Sequence, residues 1–174
     1  MDYCHIKFEA ADANALARTT QVFELIRDMK SGDLEQDEAR ITALLTDAER
    51  SYFWSPTPEE MAEWNAHWQS TPASVRTSAA MVTPQWDIES MYEALWDGEY
   101  ELVGVIHEGD FCYLTFSPEA YPFGGVSSMI AFVECFGHKV VGYDDGTGYV
   151  PYKPRSIWCP KAQKREASQE THSK

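Results

Sequence analysis

The sequence predicts an α/β protein of the α+β type, a helical N-terminal half packed with a small, mainly antiparallel sheet from the C-terminal half. Three observations carry this. Apolar residues recur at helical offsets through much of residues 12–68, β-branched and aromatic residues crowd 100–107 and 111–116 around a Glu108-Gly109-Asp110 turn, and glycines punctuate 98–148. A chain of 174 residues that is 44% hydrophobic and 13% aromatic has enough apolar surface for one ordinary core. Residues 1–160 therefore read as one α+β domain, with room for a subdomain boundary at 70–85.

Taken in order, Tyr3 to Phe8 read as a short strand, and Asp12 as the N-cap of a helix burying Leu16, Val22, Phe23, Ile26 and Met29. Ser31-Gly32 stops it. A second helix is expected from Asp33, with Gln36 at the reciprocal capping position and a stripe of Ile41, Leu44, Leu45, Ala48 and Tyr52. Thr57-Pro58-Glu59-Glu60 is a capping box with proline at the first helical position, opening a third helix whose Met61, Trp64 and Trp68 face either a core or a partner. Residues 70–85, rich in Ser, Thr, Ala and Pro, read as a linker or long loop.

Ile88, Met91, Tyr92, Leu95 and Trp96 mark a fourth helix from Asp87, ended by Asp97-Gly98. The hairpin follows, and then a helix introduced by Gly124-Gly125 and closed by Gly137, a strand over 139–143, a turn at 144–148 and a last strand from Tyr149 to Tyr152. Residues 161–174 read as a basic, flexible tail.

The charge is unevenly distributed. Residues 31–150 hold 21 Asp/Glu against 4 Lys/Arg, whereas residues 151–174 hold 6 Lys/Arg against 2 Glu. An acidic body is repelled by phosphate backbones and anionic lipid, so direct nucleic-acid and membrane roles are not expected, and a basic protein partner is. Cys4, Cys112, Cys135 and Cys159 form no C-x-x-C pair, and the opening MDYCHIKFEA has neither the basic start nor the apolar run of a signal peptide. These features lead to the expectation of a cytoplasmic protein with reduced thiols. The sequence does not set its oligomeric state.

No motif points to a cofactor or a metal. Counted from Asp144, the twelfth position of a calcium loop holds Arg155 instead of glutamate. Cys135 and His138 have ligand-like spacing, but Cys135 falls in an apolar helix and a zinc site needs further ligands such as Cys112 or His107. Gly125-x-Ser127 is half a nucleophile elbow, with Met129 where the second glycine belongs. An enzyme would need a carboxylate/His site of hydrolase type assembled from distant residues, for which Glu134, His138, Asp144 and Asp145 are the candidates.

One pattern stands out: acids interleaved with aromatics, as in Trp86-Asp87, Tyr92-Glu93, Trp96-Asp97 and Glu99-Tyr100-Glu101. Aromatics supply interface affinity, and acids around them steer a basic partner. The expected partner-binding set is Trp86, Asp87, Trp96, Asp97, Glu99, Glu101, Glu108, Asp110, Asp144 and Asp145.

Pro122-Phe123-Gly124-Gly125, Phe136-Gly137, Val140-Val141-Gly142-Tyr143-Asp144-Asp145-Gly146 and Tyr149 together resemble a module of small bacterial immunity proteins of polymorphic toxin systems. The resemblance covers about residues 122–149. It implies a cytoplasmic, non-enzymatic α/β protein that occludes the active site of a cognate toxin. The leading expectation is thus an inhibitor of a basic toxin, with an acidic nucleic-acid mimic and a secretion chaperone as related readings.

Overall fold

In the computed structural model, which describes residues 3–78 and 80–161, the alternation at the N-terminus becomes β1 (Cys4–Glu9), with Ile6 and Phe8 fully buried. Asp12 then caps α1 (Ala13–Lys30), its carboxylate accepting the Ala15 N–H at 2.8 Å. The buried stripe of α1 is Thr19, Val22, Phe23, Ile26 and Met29, whereas Leu16, expected with the last four, is half-buried.

The expected second helix is instead two. α2 (Glu38–Leu44) is capped by Asp37, while Asp33 accepts a hydrogen bond from Ser31 Oγ. Leu45 is extended, and α3 (Asp47–Arg50) restarts behind Thr46, whose side chain accepts the Glu49 N–H while Glu49 accepts the Thr46 N–H. A second capping box inside one apolar stripe breaks the helix, because a satisfied N-cap competes with continuing the turn. Arg50 donates to the Thr42 and Leu45 carbonyls exposed by the break.

α6 (Ile88–Asp97), β2 (Tyr100–Glu108), β3 (Phe111–Pro118), α7 (Ser127–Cys135), β4 (Lys139–Asp144) and β5 (Tyr149–Pro151) follow where the sequence places them. The sheet has the order β2-β3-β1-β4-β5 and is antiparallel throughout. Four of its strands come from the C-terminal half; the fifth, β1, lies in the middle. With α1 between β1 and β2, and α7 between β3 and β4, this is the split β-α-β, ferredoxin-like plan, with β5 added at the far edge.

One face of the sheet is core. Ile6 and Phe8 of β1, Leu102 of β2, Cys112, Leu114 and Phe116 of β3, and Val140 of β4 are buried together with α1, α6 and α7. The other, more open face carries His5, Lys7, Phe111, Tyr113 and Tyr149, which are half-buried or exposed, around a buried Thr115. Tyr149 lies across Gly142 and donates to the Val141 carbonyl; any side chain at position 142 would collide with its ring.

These elements belong to a first unit, residues up to Phe53 together with Trp86–Lys153; a second consists of Trp54–Gln85 and the segment from Pro154. The second unit contains α4 (Pro58–Ser70), started by the expected capping box at Thr57, and α5 (Ala73–Arg76). The stretch expected to be a linker is therefore partly helical, and it is tied down. Arg155 donates to Thr83, to the Pro84 carbonyl and to Gln85, and the Trp158 N–H donates to the Thr83 carbonyl.

Trp64 packs against Trp54, Trp68, His67 and Trp158, with ring centroids 5.1–6.5 Å apart, and Arg76 lies over Trp68. The α4 tryptophans thus build a small aromatic cluster of their own. Residues 162–174, most of the expected tail, lie outside the described residues. Among the described residues no helix is long and apolar enough to cross a membrane.

Candidate functional site: an acidic cleft at the start of β2

The site grows from the way α6 ends. Gly98 follows the helix, and the Tyr100 ring folds back over it so closely that a Cβ at 98 would overlap the ring. Tyr100 is 2% exposed and its hydroxyl donates to the Ala94 carbonyl. From α1, Lys30 reaches the end of α6 and donates to the Trp96 and Gly98 carbonyls at 2.7 Å each, with Nζ 4.6 Å from the centre of the Tyr100 ring. The ammonium thus closes the helix C-terminus, where the backbone is electron-rich, and rests on an aromatic face. Burial lowers the Lys30 pKa, and the nearby Glu119 and Asp97 oppose that shift.

Around this anchor opens a cleft of about 460 Å³, with Trp96, Gly98, Tyr100 and Leu102 among its walls. Its four carboxylates are Asp33, Glu99, Glu101 and Glu119; its two cations are Arg27 and Lys30. Both cations are already engaged, Arg27 with Asp28 at 2.9 Å and Lys30 as above. Glu99, Glu101 and Glu119 have no ion-pair partner among the described residues. The main chain at two of them is tied down: the Glu119 N–H donates to the Glu99 carbonyl, and the Glu99 N–H to the Phe123 carbonyl. The cleft therefore presents an excess of carboxylates over cations, beside Trp96.

The ten expected partner-binding residues fall into four places on the first unit. Trp96, Glu99 and Glu101 line the cleft, and Asp97 lies beside it close enough to act on Lys30. Glu108 and Asp110 sit at the far end of the hairpin. Asp144 and Asp145 belong to the turn between β4 and β5, near the opposite edge of the sheet. Trp86 packs against the core, and Asp87 caps α6 by accepting the Ser90 N–H.

The turn acids are partly spent on their own loop. Asp144 accepts from the Gly146 and Gly148 N–H groups, and Asp145 from the Thr147 N–H and hydroxyl. Sequence reasoning missed Asp33, Glu119 and Lys30. Glu119 had a readable signal, since counting both strands back from the Gly109 turn brings it level with the start of β2. Lys30 had none, because its partners lie 66 and 68 residues away.

The residues considered for catalysis are held in structural roles. Glu134 accepts the Tyr52 hydroxyl at 2.7 Å. His138 is 4% exposed and stacks on Phe8. Its Nδ1 accepts the Ala11 N–H at 3.0 Å, which leaves the proton on Nε2 to donate to Thr19 Oγ1 at 2.8 Å; that hydroxyl in turn donates to the Ala15 carbonyl. Burial lowers the His138 pKa, with Asp12 opposing. Cys135 donates to the Phe132 carbonyl, and burial pushes its thiol pKa well up. Among the described residues no group of three or more His, Cys, Asp or Glu side chains could hold a metal ion.

On the open face of the sheet His5, Lys7, Glu108, Tyr113 and Tyr149 surround a shallow hollow of about 370 Å³, and Lys7 Nζ sits 3.8 Å from the centre of the Phe111 ring. No family model, curated protein or solved structure matches the chain.

Proposed function

We propose that this chain is a non-enzymatic binding protein that captures a basic protein partner, acting in the cytoplasm as an immunity-type inhibitor of a toxin. The observation that carries the reading is the cleft, where Glu99, Glu101 and Glu119 have no ion-pair partner among the described residues and stand beside Trp96. A desolvated arginine or lysine entering it meets several carboxylates and an aromatic wall, the surroundings in which charge complementarity contributes most. Lys30 already lies over the Tyr100 ring, held by the Trp96 and Gly98 carbonyls, so an entering cation is left Trp96 and the carboxylates. The remaining acids of residues 31–150 supply a long-range field that speeds encounter with a basic protein.

The test is capture of basic polypeptides on immobilised protein at low and high salt, with a Glu99→Gln/Glu101→Gln/Glu119→Gln triple variant as control. The reading expects retention at low salt by the unaltered chain and loss by the variant. Equal retention by the two would remove the cleft from the account.

A further inference from the structure

Among the described residues β2 pairs only with β3 and forms one edge of the sheet, with no described strand on the outer side of its main chain. The first part of that edge is covered, because Tyr100 and Leu102 are buried. From Val103 to Val105 the strand is half-buried, and from Ile106 to Glu108 it is exposed, with Ile106 40% accessible. The register shift between Leu102 and Gly104 leaves Glu101, Gly104, Ile106 and Glu108 on the open face, opposite Ser117, Thr115, Tyr113 and Phe111.

That row reads acid, bare backbone, aliphatic, acid. Gly104 has no steric reason within the chain to be glycine: its φ is not positive, and a Cβ there would meet only Thr115 Oγ1, at 4.0 Å. A glycine at that bulge leaves the open face bare between Glu101 and Ile106.

The bulge and the two glutamates guard this edge against unselective pairing, while its outward main-chain groups remain a template for a strand of opposite charge. Charge selects the occupant. β2 and its turn carry Glu101, Glu108 and Asp110 and no lysine or arginine, so pairing with β2 of a second copy would bring only acids to acids. A basic segment has the complementary sign.

We propose, resting on the reading of the chain as a basic-partner binder, that the partner adds an extended segment to the β2 edge between Val103 and Glu108. Side chains of one strand recur on a face every second residue. A lysine or arginine therefore meets Glu108, an apolar residue two places on covers Ile106, and a second cation six places from the first reaches Glu101 just beyond the paired stretch.

The probe is a random dodecapeptide display library panned on the full chain at low salt, followed by hydrogen exchange of the chain with the enriched peptides. The expected result is enrichment of basic residues at even spacing with an apolar residue two from one of them, and slowed exchange of amides within 103–108. Glu108→Gln and Glu101→Gln should each weaken the enriched peptide about two- to fivefold. Basic peptides that leave the β2 amides unprotected but are lost on the Glu99/Glu119 double glutamine variant would overturn strand addition and leave the cleft reading standing. Enrichment of peptides without basic residues would overturn both.

Discussion

Single residues decide how the cleft is held. Lys30→Met keeps most of the side-chain volume but leaves the Trp96 and Gly98 carbonyls without their donor. It should cost about 1–2 kcal/mol, lowering Tm by roughly 2–8 °C in a thermal melt. Gly98→Ala acts on the same floor by steric means, since the new methyl overlaps the Tyr100 ring. That ring must leave its place, so stability in urea titration and cleft binding should fall together. Glu49, 8% exposed, accepts from Arg18 at 2.6 and 2.8 Å; burial alone would raise its pKa, but the bonds from Arg18 and Thr46 outweigh it and hold the pKa down. Glu49→Ala should cost about 2 kcal/mol, less than a fully buried pair because Arg18 retains some solvent.

Both shifted groups act on stability in the same direction. The His138 and Glu49 pKa values are lower folded than unfolded, so the unfolded chain binds more protons as pH falls. Stability should decline as pH drops below about 6.5 through the His138 contribution, and again below about 4.3 through that of Glu49. Urea midpoints at several pH values check this. The first step should vanish in His138→Gln and the second in Glu49→Gln.

Elements show what could be read in advance. α1, α4, α6, the hairpin, α7, β4 and β5 follow from caps, periodicity and glycine stops, which act within a few residues and so are written locally. The Asp33–Tyr52 stretch could not be placed by its stripe alone, because Thr46 and Glu49 satisfy a second N-terminus that periodicity does not register. The central place of β1 depends on pairing with residues more than 100 positions away. Candidate-site residues divide the same way. Trp96, Glu99 and Glu101 are adjacent in sequence and were legible as an acid–aromatic cluster, whereas Asp33, Glu119 and Lys30 join them only through the register of β2 and the packing of α1. In the second unit, Trp158 is 8% exposed and packs against Trp54, Trp64 and His67. Trp158→Ala should destabilise that cluster by about 3 kcal/mol, read as a change in tryptophan fluorescence during unfolding.

For the whole molecule, a formal net charge of −14 is too general to specify a partner, and many soluble domains carry such a surface for solubility alone. What narrows it is placement. Three carboxylates without an ion-pair partner among the described residues share one cleft with Trp96, and Asp97 lies beside it, while the other expected acids are spread over the hairpin end, the β4–β5 connection and the start of α6. An acid used only for solubility has no need of an aromatic wall or a fixed backbone. The most direct measurement is the affinity of a captured basic partner, by calorimetry, for the unaltered chain and for the Glu99→Gln/Glu101→Gln/Glu119→Gln variant from low to physiological salt. The account predicts at least tenfold weaker binding by the folded variant and a shallower salt dependence; unchanged affinity and salt slope would contradict it.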